Sequence, residues 1–532
     1  ESSWGDDEEI IFLGEWCKLY SKETEWQQRK HSSVSYHWDD REKLKKDYRY
    51  LNDVYEKLIP IISKKLNDIH KVNHSFKYWR IIVGPWLTYF IQIVYDRWFM
   101  LQSLSNVNSV SIIEQNFLDF VPNDMTDFIN AFIDDEWNEF IYSKIIQKEG
   151  LFSNINYVKR TGINGKVKSS VTSNYVKNGV IQLFKLFNKT FTSRNKYFFI
   201  QSYIPTKYLI SINLKLNQFP TLRVTNKLPK IEPSLNQRKW DLLENSEDNF
   251  LNILNYLIPL QIPRIYLEGF SKLKLSVKRS HWPISPRVIF TSNSYSEDDY
   301  FKVWAAEKIE KNSKLIIAQH GGNFGMNNIE SHAKHQYLIA DKFLSWGWEK
   351  KEIQSIKPVG NIKIITKKSQ KIDNSGYGLI ISTEYPRFSY YLYSVPIASQ
   401  YKSYLEAQFS FLELLPQRIF DKILFKPYPS NYKWYTRERL LDSFPKLKVD
   451  QSGKSFKKLL KNSRICIITY NGTSFLESFA WDFPTIIFFD SFHWELDDKA
   501  KASFEILKKA NIYHTTADSA ARHLINVWDD IK

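Results

Sequence analysis

Residues 464–489, RICIITYNGTSFLESFAWDFPTIIFF, contain a short apolar run, a turn, an amphipathic segment and a second apolar run. Each apolar run is almost uninterrupted, which is typical of parallel strands that are buried on both faces. Between them, Asn-Gly makes the turn and Thr-Ser opens the amphipathic segment, as at the start of a helix. This strand–helix–strand unit predicts an α/β fold built on a parallel sheet.

The same alternation continues through the chain after about residue 280. The further apolar runs lie at 287–291, 314–319, 378–382 and 422–426, and helical stretches lie between them at 298–311, 401–415 and 456–461. We therefore expect a Rossmann-like domain with a doubly wound parallel sheet over residues 281–510. A last helical segment, 511–532, is expected to return to the amino-terminal domain. In such a sheet, ligands bind beyond the carboxyl ends of the strands.

The first 280 residues are predicted to form a separate, helix-rich domain. Apolar residues recur every three or four positions from Leu44 to Ile69, as on one face of a long helix, and Pro60 lies off that face. A proline at this place can bend or divide the helix. The other elements predicted here are helices at 80–103 and 125–148, a mobile loop at 154–170 and a buried strand at 197–203.

Charge and cysteine content limit the classes of function. The chain has 74 Lys and Arg against 58 Asp and Glu, a net charge of +16, but the lysines are scattered and form no long run. Two cysteines, Cys17 and Cys466, rule out a disulfide framework and zinc sites of the CxxC type. We expect a cytoplasmic protein that needs no cofactor and no specific nucleic acid, with peripheral contact to an anionic inner membrane left open.

The segment after the strand at 464–470 is the strongest candidate site. Asn471 leads into Thr473 and Ser474 at a helix start, where N–H groups and hydroxyls suit a phosphate. Glu477 follows one helical turn later, where a carboxylate can reach a ribose diol. The alternative is that Thr473 or Ser474 only caps the helix, with Glu477 closing a capping box.

Two other strand ends carry unusual residues. His320 is followed by Gly321 and Gly322, a pair that permits close approach of the backbone to a ligand, and the imidazole can bind phosphate or act as an acid. In residues 425–429, FKPYP, Lys426 offers a cation for a phosphate beside Tyr428. The alternatives are a structural turn for the first segment and a proline-stiffened loop for the second.

Three carboxylates of the amino-terminal half are candidates for catalysis. Glu15 follows a glycine at the end of a predicted short strand, so that it occupies a strand-end position. Asp39 and Asp40 directly precede the long helix, where at least one is expected to be its N-cap. The alternative is a catalytic carboxylate whose pKa is set by Arg41 or Arg80 as an electrostatic partner.

Seven segments together resemble a bacterial family of transferases that was first named from a Leptospira locus. They are LGEWCKLY (13–20), YHWDDREK (36–43), YWRIIVGPWL (78–87), AQHGGNFG (318–325), DKFLSWGW (341–348), PVGN (358–361) and YNGTSFLESFAWDFPTIIF (470–488). The resemblance implies a GT-B-type glycosyltransferase with two Rossmann-like domains. More distantly, the chain is similar to capsule and lipopolysaccharide transferases that use CMP-activated ulosonic acids such as Kdo, and to bacterial sialyltransferases.

Those distant relatives hold the nucleotide phosphate with a His-Pro motif and a Ser-Ser/Thr motif. Here Thr473-Ser474 matches the second motif, whereas Tyr428-Pro429 stands where His-Pro is expected. The implied function is metal-independent transfer of a sugar, such as a CMP-activated ulosonic or nonulosonic acid, to a surface glycan or protein acceptor. Residues 1–280 would then form the acceptor side. Together with the strand-end residues, the candidate donor-binding residues are Gly321, Gly322, Lys426, Tyr428, Asn471, Thr473, Ser474 and Glu477, and the catalytic candidates are Glu15, Asp39, Asp40 and His320.

Two other functions fit parts of the same sequence. The positive charge and the many aromatic residues suit a non-catalytic protein that binds nucleic acid or another anionic polymer. A nucleotide-sugar epimerase or hydrolase would use the same doubly wound sheet.

Overall fold

Helices and short strands alternate through the residues that the computed structural model describes, 9–104, 107, 109–158, 175–224, 226–244, 246–364 and 369–531. The strands are β1 Ile10–Phe12, β2 His31–Ser33, β3 Ser109–Ile113, β4 Asn154–Val158, β5 Tyr197–Ile200, β6 Val288–Thr291, β7 Lys314–Ala318, β8 Lys342–Ser345, β9 Ile356–Pro358, β10 Tyr377–Ile381, β11 Ile423–Lys426, β12 Lys448–Val449, β13 Ser463–Ile468, β14 Thr485–Phe488 and β15 Tyr513–His514. The helices are α1 Glu23–Gln27, α2 Arg41–His70, α3 Phe76–Gln102, α4 Met125–Phe132, α5 Asp135–Glu149, α6 Tyr175–Phe187, α7 Thr206–Lys215, α8 Asn249–Gln261, α9 Phe270–Lys278, α10 Ser294–Glu297, α11 Asp299–Ile309, α12 Ser331–Ile339, α13 Tyr401–Glu413, α14 Gln417–Phe420, α15 Thr436–Ser443, α16 Phe456–Leu460, α17 Thr473–Ala480, α18 Asp498–Lys509 and α19 Ala517–Val527.

The described residues divide into two compact units. Unit 1 takes those within 1–45, 321–330 and 364–532, and unit 2 takes those within 46–320 and 331–363. These bounds differ from the division at residue 280 drawn from the sequence, because they follow contacts in space rather than the change in hydrophobic pattern. The acceptor and donor roles assigned to the two halves stay predictions.

Unit 1 contains a six-stranded parallel sheet in the order β12-β11-β10-β13-β14-β15. Counted along the chain from β10, this order is 3-2-1-4-5-6, the strand order of dinucleotide-binding domains. All residues of β13 are buried, as its apolar pattern predicts. The core over this sheet combines Ile380, Phe411 and Ile465 with Leu524 of α19.

Unit 2 contains a second parallel sheet, in the simple order β5-β6-β7-β8-β9. Helix α3 contacts α11 and α12, and 21 of its 27 residues are buried. Its almost uniformly apolar sequence is therefore that of a core helix. No helix in the described parts of the chain combines the length and the hydropathy that crossing a bilayer requires.

Most of the predicted elements lie within a few residues of a helix or strand of the structure. The predicted long helix is confirmed as α2, and it runs unbroken through Pro60, whose ring is exposed to solvent. The predicted helix at 125–148 is two helices, α4 and α5, and Asp134 caps the second through the N–H of Glu136. Of the predicted loop at 154–170, residues 154–158 form β4 and residues 159–170 lie outside the described residues.

One prediction about how the elements assemble is corrected. The runs at 287–291 and 314–319 form β6 and β7, which pair with β5 in the sheet of unit 2 instead of joining the carboxyl-terminal sheet. The last segment contributes β15 to the edge of the unit 1 sheet and α19 to its core, and its return to the amino-terminal domain stays a prediction. The small side chains of Ala520 and Ala521 let α19 pack closely there.

Candidate functional site

The carboxyl ends of β10 and β13 form the topological switch point of the unit 1 sheet. These neighbouring strands are followed by connections that run to opposite sides, and such a place leaves a crevice for a ligand. Six residues follow the two strands here: Ser382, Thr383 and Glu384 after β10, and Thr469, Tyr470 and Asn471 after β13. We call these six residues the switch-point site.

Hydrogen bonds tie the two strand ends together. The backbone N–H of Thr469 donates to the carbonyl of Ile381 at 3.2 Å. The Thr469 hydroxyl lies 2.5 Å from the Tyr404 hydroxyl, which accepts the N–H of Thr383 at 3.1 Å. The loops that leave β10 and β13 are thus held by the same side chain of α13.

Glu384 is the most unusual residue of the switch-point site. It is 6% exposed, and its two carboxylate oxygens accept the N–H of Tyr432 at 2.7 Å and the hydroxyl of Thr436 at 2.9 Å. Burial raises the pKa of Glu384 to about 7, because it outweighs these two hydrogen bonds. A carboxyl group that titrates near neutral pH can both accept and donate a proton during a reaction.

The start of α17 has no side-chain cap. Its N-cap residue is Gly472, so the predicted capping by Thr473 or Ser474 does not occur. The Thr473 hydroxyl accepts the N–H of Gly322 at 2.9 Å, and the Ser474 hydroxyl bonds to the Tyr470 hydroxyl at 2.6 Å. The positive end of the helix dipole therefore faces out of the first turn of α17 without a carboxylate or hydroxyl from its cap.

Residues 321–330 lie against this helix start within unit 1. A Cβ atom on Gly322 would be 2.7 Å from the carbonyl carbon of Gly472 and from Cα of Thr473. Gly322, the second of the two glycines, thus makes its close approach to the protein's own backbone. Nearby, Asn471, which is 1% exposed, donates its side-chain N–H to Asn327 at 3.0 Å.

We expect Gly322→Ala to lower the free energy of unfolding by about 1–3 kcal/mol, the usual cost of forcing extra atoms into a packed contact. The added methyl would clash with backbone atoms, which cannot rotate away. Gly321→Ala is the matched control, because its Cβ would meet nothing closer than 3.5 Å. Urea titrations compare the two variants, and an equal loss of stability in both would contradict this account.

Lys426 and Tyr428 lie at the same edge of the unit 1 sheet as the switch-point site. Lys426 ends β11, in register with Ile381, and its ammonium group is 3.2 Å from Asp450. The Tyr428 ring is 39% exposed and stacks on Tyr432 at 6.0 Å. Part of the charge predicted to meet a phosphate is therefore already balanced by Asp450.

A small cavity lies beside the switch-point site. It has a volume of about 120 Å³, and Tyr404, Thr469, Asp490, His493 and Thr515 are among its lining residues. Sites for drug-sized ligands occupy roughly 300–1,000 Å³, so this cavity holds at most a small group or waters. A nucleotide sugar would have to bind in the open crevice.

The catalytic candidate Glu15 is held in ion pairs. Its carboxylate is 2.8 Å from Lys18 and 2.7 Å from Lys402, and it accepts the hydroxyl of Ser33 at 2.7 Å. Burial alone would raise its pKa, but these hydrogen bonds prevail and lower the pKa of Glu15 to about 2. At neutral pH this carboxylate is ionised and is a weak proton acceptor.

Asp39 and Asp40 have structural contacts at the start of α2. Asp40 accepts the N–H groups of Glu42 at 2.9 Å and of Lys43 at 3.0 Å, which confirms one predicted N-cap. Asp39 accepts the side-chain N–H of Gln400 at 3.0 Å. Their catalytic role stays a prediction.

The two arginines are bonded to carboxylates other than the predicted Asp39 and Asp40. Arg41 makes a two-pronged ion pair with Glu495, at 2.6 and 2.8 Å, and donates to Gln400 at 3.0 Å. In unit 2, Arg80 pairs with Glu56. Glu495 is 454 positions from Arg41, and Glu56 on α2 is 24 positions from Arg80 on α3. Residues adjacent in the sequence are therefore a poor guide to the partners of these arginines.

His320 lies after β7 in unit 2, with its ring 6.4 Å from that of His332, and both residues are only partly exposed. Burial, reinforced by the charge of Lys363, lowers the pKa of His320 to about 4, and burial lowers that of His332 to about 3. His332 bonds to the hydroxyls of Tyr89 at 3.0 Å and Tyr295 at 2.9 Å. His320 is therefore neutral at pH 7 and offers a phosphate a hydrogen bond rather than a positive charge.

The sequence points to the start of α17 as a candidate site but gives no sign of Glu384. A single Glu in the sequence STEY has no motif around it. The signal that would have found it is its place directly after the first strand of a 3-2-1-4-5-6 sheet, beside the switch point.

The comparison with protein families identifies the chain at the level of a family. The model described as LIC12162 family transferase matches residues 1–532, and the chain belongs to that family. No curated protein matches the chain. The family is one of transferases, so the protein takes a donor and an acceptor and moves a group between them.

Proposed function

We propose that this member of the LIC12162 transferase family is a GT-B-type glycosyltransferase. It moves a sugar, such as a CMP-activated ulosonic or nonulosonic acid, from a nucleotide donor to a surface glycan or protein acceptor. The observation that carries the proposal is the pairing of an uncapped helix start with a neutral-range carboxyl group, Glu384, at the switch point of a dinucleotide-binding strand order. The donor class rests on the Thr473-Ser474 motif and its resemblance to the transferases that use CMP-sugars.

The donor phosphate would bind at the start of α17. There the N–H groups of the first turn and the helix dipole favour a negative charge. The hydroxyls of Thr473 and Ser474 stand beside this position, and Glu477 is one turn further along α17, where it can bind the ribose. Hydrogen-bond donors fixed in this way stabilise the charge that develops on a leaving phosphate, so the scheme does not require a metal.

Glu384 is the proposed general base. The acceptor hydroxyl gives its proton to the Glu384 carboxylate while its oxygen bonds to the anomeric carbon. The bond between that carbon and the donor phosphate breaks, and the nucleotide leaves with the electron pair. Its pKa of about 7 suits this role better than the pKa of about 2 at Glu15, which makes Glu15 a weaker base.

The expected donor can be found by thermal-shift measurements with CMP-, UDP- and GDP-sugars. A ligand at a hundredfold excess over its Kd stabilises the folded protein by about 2.7 kcal/mol, so the true donor should stand out. We expect CMP-sugars to raise Tm, and we expect Thr473→Ala with Ser474→Ala to weaken this binding roughly tenfold or more, the value of one lost hydrogen bond to a charged group.

Thr473→Ser with wild-type Ser474 is the control, since it keeps both hydroxyls. Unchanged donor affinity in the folded double variant would mean that these hydroxyls serve only Gly322 and Tyr470. Stabilisation by UDP- or GDP-sugars alone would replace the proposed CMP donor. Release of sugar without any acceptor, at the full rate, would favour a hydrolase.

A further inference from the structure

A groove of about 790 Å³ lies in unit 2, between α6 with the turn that follows it and α9. Its cationic lining residues are Lys185, Lys189, Lys227, Lys272 and Arg279. None of the described residues that line it is acidic. We call these five cations and the space between them the basic groove.

The described residues of unit 2 do not balance the positive charge of the basic groove. None of the five cations forms an ion pair with any residue in the described parts of the chain. Burial, together with the charge of Lys185, lowers the pKa of His281 in the same lining to about 4. A concave surface with one sign of charge attracts ions of the other sign.

Large apolar side chains around the basic groove are exposed to solvent. Leu186 and Leu275 line its two walls and are 61% and 50% exposed, and Leu183, one helical turn from Leu186, is 66% exposed. Beyond the end of α6, the rings of Phe191 and Phe219 lie 5.8 Å apart, and each is about half exposed. Large apolar side chains clustered on a surface mark a place of contact with another apolar phase or partner.

We propose that the basic groove and its exposed leucines dock the protein on an anionic lipid bilayer. The lysines and the arginine bind headgroup phosphates, and Leu183, Leu186 and Leu275 enter the boundary between headgroups and acyl chains. Interfacial protein surfaces combine cations and apolar side chains in this way. A nucleic acid would match the cations but would leave the leucines in water. Docking through the basic groove does not depend on the proposed donor site.

The test is co-sedimentation with vesicles of phosphatidylcholine, with and without phosphatidylglycerol. We expect the wild-type chain to bind only the vesicles with phosphatidylglycerol and to bind less at high salt, since salt screens exposed charges. Each lysine near an anionic surface contributes about 1 kcal/mol, so Lys185→Gln with Lys189→Gln should weaken binding about 30-fold. Leu183→Ser with Leu186→Ser should weaken binding as well, and at all salt concentrations.

Lys508→Gln with Lys509→Gln is the matched control. It removes the same charge from exposed positions of α18 in unit 1 and should leave vesicle binding almost unchanged. Circular dichroism verifies that each variant is folded. Equal binding to neutral vesicles, an equal loss in the control, or loss with the lysine variant but not with the leucine variant would overturn the proposal. In the last case a soluble DNA oligonucleotide that competes for the same lysines would identify a polyanion site instead.

Discussion

Glu384→Gln is expected to lower kcat by about two to four orders of magnitude, the usual contribution of a general base. The amide keeps the shape of the side chain and can still accept the N–H of Tyr432 and bond to Thr436, so the fold is retained. Turnover is measured with the donor that thermal shift identifies and a working acceptor. Near-normal turnover of this variant would show that another residue is the general base, and neutral His320 would be the next candidate.

The pH dependence separates loss of a base from loss of structure. With Glu384 as the base, kcat/KM of the wild type should rise with pH up to a plateau above about 7, and Glu384→Gln should lose this rise. Glu438→Gln is the matched control. Glu438 is an exposed carboxylate whose charge raises the pKa of Glu384, so its removal should keep turnover and move the profile slightly to lower pH.

The stability of the folded protein should also depend on the ionisation of Glu384, but it should fall with rising pH where the activity rises. The pKa of Glu384 is raised in the folded state from 4.5 to about 7, so its contribution to stability is fully present below pH 4.5 and is lost as pH rises through 7. Glu384→Gln should therefore be more stable than the wild type at pH 8, by thermal melts, and lose this advantage near pH 4. A less stable variant at pH 8 would show that the ionised form is better accommodated than its burial indicates.

Arg41→Met is expected to lower the free energy of unfolding by about 3–5 kcal/mol. The side chains of Arg41 and Glu495 are 5% and 13% exposed, so the variant leaves a buried carboxylate without its partner. Urea titration measures the change. The double variant with Glu495→Met should recover most of the loss, because both charges are then absent.

An exposed pair serves as the comparison for Arg41. Arg522 pairs with Asp518 on the surface of α19, and Arg522→Met should leave stability almost unchanged. If Arg41→Met behaves like Arg522→Met, the pair with Glu495 is hydrated and contributes little. If the double variant is as unstable as Arg41→Met, the loss comes from packing of the arginine stem.

The local hydrophobic pattern predicts the positions of the helices and strands well, because its periodicity depends directly on which side chains are buried. The apolar run of β13 and the 3–4 spacing of α2 are examples that the structure confirms. Long crossover connections decide which strands pair in a parallel sheet. The hydrophobic periodicity of the sequence contains no information about these connections. For this reason the sequence predicts β6 and β7 in the carboxyl-terminal sheet, although they pair with β5.

The candidate site is likewise predictable from the sequence only where its signal is local. The start of α17 was visible in the sequence, because Asn-Gly followed by Thr-Ser is a local signal. The contact of Thr473 with Gly322 joins residues 151 positions apart and was not visible. The raised pKa of Glu384 depends on burial, its place beside the switch point depends on strand order, and the partner of Arg41 is 454 positions away. Such facts become available only when the chain is folded.

The position of β15 and α19 has a consequence for the synthesis of the protein. Leu524 and Trp528 are part of the core that also contains Ile380 and Phe411, and β15 is the outermost strand of the same sheet. A chain grows from its amino terminus at about 5–20 residues per second. The ribosome must therefore have passed Trp528 before this core can close, and until then the nascent sheet keeps an apolar face and an unpaired edge of β14. During this interval the nascent chain exposes apolar surface, which is the kind of surface that chaperones bind.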